Sequence, residues 1–213
     1  MAEKRHSILR FVHIENLDGI LKRRGMYAPN HAPDDGIIYQ TIHSQEVQNK
    51  RSNYRVPAGP GGCLHDYVPF YFGCHSPMML QLHTGKVPDY HAGQRPLIYL
   101  VSYAEDVAKA RCQFAFTDGH GIAAFTQFFD DLANLDKVDW NVVRLKYWAD
   151  AADDNDRQRR KQAEFLVHCF VPWKLIKGIA VIDEAMKTAV DRILAEHPSL
   201  NQPIVKVLSG WYY

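Results

Sequence analysis

A chain of 213 residues with 46% apolar and 23% charged residues has the make-up of one medium-sized globular domain with ample core. Its formal net charge of +1 excludes a strong overall pull toward nucleic acid or a membrane surface, although eleven histidines make the true charge sensitive to pH near neutrality. No apolar run approaches the length of a bilayer span, so no membrane contact is expected. The start, Met1-Ala2-Glu3-Lys4-Arg5-His6, has no apolar segment behind its basic residues, which predicts a cytoplasmic protein instead of a secreted one. Cys63, Cys74, Cys112 and Cys169 form no Cys-x-x-Cys pair. Cys63-x-His65 and Cys74-His75 lack the paired spacing of zinc sites, so reduced thiols and no metal are expected.

In chain order, Ile8, Leu9, Phe11, Val12 and Ile14 predict a strand over 8–14. Asn16 is placed to cap a helix carrying Leu17, Ile20 and Leu21, which Gly25 stops. His13 thus falls at the C-terminal end of a strand, where α/β sites open, although an isolated histidine there reads first as structural. Residues 30–36 form a loop. The polar, helix-compatible stretch 42–53 carries Lys50 and Arg51, with Arg55 just after, and reads as a solvated helix face or as an anion contact. The glycine-rich turn at 57–62 lacks the Gly-Lys-Ser/Thr ending of a phosphate loop. An aromatic strand follows over 65–72, with Pro69 placing it at an edge or bulge, and its rings suit a core or a stacking wall for a nicotinamide or base.

Ser76 and Pro77 open the next helix as N-cap and first helical residue. Strands are predicted at 96–102 and 114–116. The turn Thr117-Asp118-Gly119-His120 leads into a predicted amphipathic helix over 122–132 with Phe125, Phe128 and Phe129 inward, and 139–148 continues in helical style. The interval 150–161 runs from acids to bases, which suits a helix dipole or a track along a nucleic-acid backbone. Glu164 then opens a buried strand over 164–170. It reads as a surface residue beginning an edge strand, or as a carboxylate held against a cationic substrate. Further strands at 178–182 and 204–208 flank a helix over 183–196 capped by Asp183, with Ala185, Val190, Ile193 and Leu194 inward. Short strands interleaved with helices, without regular βαβ alternation, predict a single α+β domain over 1–213.

Several of these blocks together resemble the DarT family of DNA ADP-ribosyltransferase toxins. They are His13-Ile14-x-Asn16-Leu17, Gly61-Gly62-x-Leu64-His65-Asp66-Tyr67-Val68-Pro69-Phe70-Tyr71-Phe72 with Ser76-Pro77-Met78, Phe116-Thr117-Asp118-Gly119-His120, Arg159-Arg160-Lys161-Gln162-Ala163-Glu164-Phe165-Leu166-Val167, and Gly210-Trp211-Tyr212-Tyr213. The resemblance spans nearly the whole chain and implies an ADP-ribosyltransferase fold whose central split sheet binds NAD+ in a cleft. It implies transfer of ADP-ribose from NAD+ to a base, thymine above all, in single-stranded DNA. It also implies a DarG-type antitoxin whose macrodomain removes the mark. By resemblance Glu164 is the catalytic glutamate, stabilising the oxocarbenium-like state as nicotinamide leaves. Arg51, with Lys50 and Arg55 as neighbouring candidates, assists deprotonation of the base, and His120 stands near the nucleotide. His13, Asn16, Tyr71 and Ser76 hold NAD+. The family often has Ala-Pro-Arg before Ser-Pro-Met, where this chain has Gly73-Cys74-His75, so that phosphate contact passes to His75. Arg55, Arg157, Arg159, Arg160 and Lys161 are the expected DNA contacts. The alternatives are the same chemistry on RNA or protein, and a non-catalytic module that binds single strands.

Overall fold

The computed structural model describes residues 5–213, so residues 1–4 of the basic start lie outside the described residues. In chain order the elements begin β1 (Ser7–His13), α1 (Asn16–Lys22), β2 (Gly25–Tyr27), α2 (Gln45–Asn53), β3 (Tyr67–Tyr71), α3 (Pro77–His83), β4 (Leu97–Tyr103), α4 (Ala104–Lys109) and β5 (Phe114–Thr117). They continue with β6 (Phe128–Phe129), α5 (Trp140–Arg144), α6 (Arg157–Lys161), β7 (Glu164–His168), β8 (Phe170–Pro172), β9 (Gly178–Val181), α7 (Glu184–Ala195) and β10 (Ile204–Val207). Eight strands make one sheet in the order β10-β9-β4-β1-β3-β7-β5-β6, and β2 pairs with β8 in a small second sheet. Every pairing is antiparallel except β9 with β10. That one parallel pair needs a crossover, and α7 supplies it. The class is the expected α+β.

The sheet is continuous in name but parted in the middle. β1 pairs with β4 along its whole length from Ser7 to His13, and β3 pairs with β7 from Tyr67 to Tyr71. Between β1 and β3 the register holds at Leu9 opposite Tyr71 alone. Pro69 explains the parting. It has no N–H to give to a β1 ladder, and its carbonyl instead accepts from the Arg10 guanidinium at 2.9 Å. The expectation that Pro69 marks an edge is thus corrected: β3 is central, with one flank left open. The core nonetheless runs under both halves: Phe165 and Val167 on β7 and Ile8, Ile98 and Leu100 on the other half are fully buried in one cluster.

Local chemistry sets the element ends and corrects several expectations. Asn16 is the first residue inside α1 and not its cap; its side chain is taken by the backbone of Gln40. The left-handed residue that ends α1 is Arg24, at φ 56°. Gly25 serves a different need, because a Cβ there would lie 2.2 Å from the Val171 carbonyl across the β2–β8 pair. The predicted helix over 122–132 does not form. Phe128 and Phe129 pair with Thr117 and Phe116 as β6, and Phe125 is 87% exposed. Helical structure within 139–148 is confined to α5, because the buried Lys161 ammonium takes the Val143 and Leu145 carbonyls at 2.6 Å each. Ser76 and Asp183 cap α3 and α7 as expected. On α7 the buried positions are Met186, Val190 and Leu194, at i, i+4 and i+8, while Ala185 faces solvent.

Candidate active site

A cleft of about 640 Å³ opens where the two half-sheets part. That size lies within the roughly 300–1,000 Å³ of small-molecule sites. β1 contributes Arg10, β3 contributes Tyr71, and Glu164 at the start of β7 closes the inner end. Register fixes the last two: Glu164 lies directly opposite Tyr71 across the β3–β7 pair. Glu164 is 2% exposed, and it opens a central strand instead of an edge strand. Its own N–H donates to the Thr117 hydroxyl at 2.9 Å, and that hydroxyl donates to the Gly119 carbonyl at 2.6 Å. One buried threonine therefore sets both the strand start and the turn beside it.

The carboxylate is held from two sides. Arg51 donates from Nη1 to Oε1 at 3.1 Å and from Nη2 to Oε2 at 2.9 Å, a bidentate fork of the strong kind. The Gly121 N–H donates to Oε1 at 3.0 Å. Burial by itself would raise the Glu164 pKa, but the charge and hydrogen bonds of Arg51 outweigh it and hold the carboxyl below its ordinary value. The same pairing reverses the effect of burial on Arg51, which is raised. A carboxylate offers about four acceptor positions. Three are filled here, which leaves one on Oε2 for a ligand hydroxyl.

His120 also lines the cleft; burial pushes its imidazole below the ordinary value, Glu164 partly opposing. It is therefore neutral at physiological pH. Tyr71 lies well above its ordinary value, through burial first and the Glu164 charge second, and stays a neutral phenol. Of the three basic candidates after residue 49, Arg51 alone is buried in the cleft. Lys50 is exposed and paired with Glu46, and Arg55 is exposed on the chain leading to the glycine turn. Asn16 lines the cleft with its amide committed at both ends to Gln40, so it fixes the wall formed by residues 37–44. His13 packs edge-on against Tyr90, and Ser76 is spent on capping α3, with Pro77 and Met78 reaching the cleft beyond it.

Two expectations are corrected. His75 turns away from the cleft: its Nε2 meets the Tyr212 carbonyl at 3.2 Å and its own carbonyl accepts from the Tyr213 hydroxyl at 2.7 Å. The basic run is not an open phosphate track either. Arg157 pairs with Asp153 and Asp154, Arg159 with Asp118 and Asp156, and Arg160 with Asp139, Asp154 and Asp156. The acids that precede the bases by three or four residues on a helical turn are within reach and neutralise them. Lys161 is buried. What this segment shows to the cleft is Gln158 and Gln162, one helical turn apart.

Sequence reasoning passed over Arg10, Thr117, Gly121 and the two glutamines. Arg10 had a signal, a cation set between apolar neighbours in a strand, Leu9 and Phe11. Burial first, then the neighbouring Arg51 cation, push it down to about 10, and its Nε has no hydrogen-bond partner among the described residues. Thr117 and Gly121 carry no such signal, since their roles are set by backbone atoms that only the fold brings near Glu164.

Residues 9–213 match the family described as DarT, ssDNA thymidine ADP-ribosyltransferase. A DNA ADP-ribosyl transferase of Thermus aquaticus is 42% identical over 97% of this chain and 88% of its own length. One from Escherichia coli O127:H6 is 32% identical over 97% of this chain and 93% of its own. Thermus sp. 2.9 DarT in complex with ADP-ribosylated ssDNA superposes with a TM-score of 0.91 at 39% identity, covering 98% of this chain and 96% of that one. The same protein in complex with NAD+ gives 0.88 at 38% identity with both chains fully covered. With its split sheet and its buried glutamate at the parting, the chain belongs to the DarT family of ssDNA thymidine ADP-ribosyltransferases.

Proposed function

We propose that this protein transfers ADP-ribose from NAD+ to thymine in single-stranded DNA and releases nicotinamide, with Glu164, Arg51 and His120 as the reacting groups. The observation that carries the reading is the Glu164–Arg51 fork, buried at the inner end of a cleft of about 640 Å³. NAD+ enters as co-substrate, with Asn16, Tyr71 and the wall around them as its seat. The pyrophosphate brings negative charge, and the Arg10 guanidinium that lines the cleft suits it. The open acceptor position on Oε2 suits a hydroxyl of the nicotinamide ribose. As the glycosidic bond breaks, its electron pair leaves with nicotinamide, and the fixed carboxylate favours the positive charge that develops on the ribose. The thymine ring nitrogen then bonds to that carbon and gives up its proton. An arginine is too basic to take that proton, so Arg51 steadies the anionic base while the neutral imidazole of His120 accepts it.

Single strands offer unstacked bases, which spares the cost of opening a duplex. A DarG-type antitoxin with a macrodomain is the partner that this family reading implies, and the unpaired thiols suit the cytoplasm. Among the described residues no helix is long and apolar enough to cross a membrane. The test uses label carried on the ADP-ribose of NAD+ and a thymine-containing oligonucleotide, with RNA and duplex DNA beside it. Wild-type protein is expected to label the single-stranded DNA and Glu164→Gln to label nothing while keeping its circular dichroism. Wild-type labelling by the folded variant would overturn the assignment.

A further inference from the structure

Three chain segments meet beside the cleft. His31 closes the turn Pro29–His31, Asp66 closes the turn Leu64–Asp66, and His168 with Cys169 spans the break between β7 and β8. The ligand atoms of His31, His168 and Cys169 all lie within 4.8 Å of one another. His31 Nε2 is 3.5 Å from the Cys169 sulfur and 3.3 Å from Asp66 Oδ1, and His168 Nδ1 is 3.1 Å from the sulfur. With Zn–S at ~2.3 Å and Zn–N or Zn–O at ~2.0–2.1 Å, a tetrahedron has S···N edges of about 3.5 Å and N···O edges of about 3.3 Å. The His31–sulfur separation equals the S···N edge, and Asp66, outside the group of three, leaves the fourth position to water. A thiol is a weak donor and a weak acceptor, which gives little reason to gather two imidazoles around one.

The backbone supports the same reading. Cys169 is held at φ 59°, a left-handed conformation that a residue with a Cβ adopts only when its surroundings impose it. Those surroundings are the other two segments: the Cys169 N–H donates to the Asp66 carbonyl at 2.8 Å, and its carbonyl accepts from the Ala28 N–H at 2.8 Å. Asp66 is itself fixed, by the Cys63 N–H at 2.7 Å and the Asn30 amide at 2.9 Å. We propose that His31, His168 and Cys169 hold a zinc ion, with water in the fourth position. Binding would release the thiol proton to solvent, leave both imidazoles neutral, and set one thiolate against the metal's two charges, with the Asp66 carboxylate close by His31. Nitrogen and sulfur donors select zinc over calcium or magnesium. The effect would be to pin the 28–33 segment, whose Pro29, Ala32 and Pro33 line the cleft, to the end of β7.

Tag-free protein stripped with a chelator and titrated with cobalt(II), then zinc, tests this directly. The expected result is one tight cobalt site with a thiolate-to-cobalt charge-transfer band and intense tetrahedral d–d bands, bleached by one equivalent of zinc. Zinc should also raise the Tm. Cys169→Ser should lose the charge-transfer band, and Cys112→Ser should keep it. His168→Ala and His31→Ala should weaken cobalt binding by tenfold or more, about what the loss of even an indirect supporting partner brings. Absence of the band in wild-type protein would overturn the site, as would its persistence in Cys169→Ser. Should Cys169→Ser not fold, unchanged cobalt affinity in both histidine variants would overturn it equally.

Discussion

At the scale of single residues, the site depends on how little space surrounds one carboxylate. A Cβ at Gly121 would stand 3.0 Å from Glu164 Oε1 and 3.4 Å from a Leu64 methyl, so an alanine there must displace the glutamate by a few tenths of an ångström. Gly121 does not have a positive φ, so its backbone would accept alanine without strain. Gly121→Ala is therefore a clean probe of the carboxylate's position. Reacting groups misplaced by about 1 Å lose on the order of a hundredfold, so about a tenfold fall in kcat is expected, with KM for NAD+ and the Tm little changed. Steady-state kinetics beside a thermal melt checks it, and an unaltered kcat would show that the carboxylate tolerates the shift.

At the scale of elements, what the sequence shows depends on whether a segment's partner is nearby in the chain. β1, β4, β7 and α7 were legible because burial dictates their periodicity and Asp183 caps its own helix. The failed helix over 122–132 reads as amphipathic, yet Gly121 is spent on Glu164 and Phe128 and Phe129 are claimed by β5, neither of which a local pattern reveals. The basic run misleads in the same way. Arg159 and Arg160 look like phosphate contacts until Asp118 and Asp139 arrive from 41 and 21 residues away. This distinction is measurable. A residue that neutralises a phosphate contributes about one unit to the slope of log affinity against log salt. Arg159→Ala and Arg160→Ala, measured with single-stranded DNA across a salt series, should leave that slope unchanged. What affinity they lose should come through the order of the 145–162 segment, whose amides should exchange faster with solvent. A slope reduced by one per substitution would return both arginines to the DNA.

At the scale of the whole molecule, a histidine-rich composition suggests a protein whose charge rises steeply below neutrality, and burial changes that. His13, His43, His65, His75 and His120 are all pushed below their ordinary value, each chiefly by removal from water. A histidine with a folded pKa below about 6.5 binds fewer protons folded than unfolded within that interval, so stability increases with pH across it. The contribution of these groups is complete above the unfolded pKa and is lost as pH falls through the folded values. Glu164 acts in the same direction, but its window lies lower, below the ordinary carboxylate value of 4.5. Lys161, pushed down to about 8 by burial, adds a separate rise between about 8 and its ordinary 10.5. Between pH 7.5 and 5.5 the histidines alone therefore set the slope. The Tm should fall as the pH falls across that interval. Calorimetry at pH 6 in buffers of different ionisation enthalpy should register net proton uptake on unfolding. A flat Tm, or proton release, would mean that the buried imidazoles are charged in the folded protein. In that case the neutral His120 beside Glu164 would have to be abandoned with them.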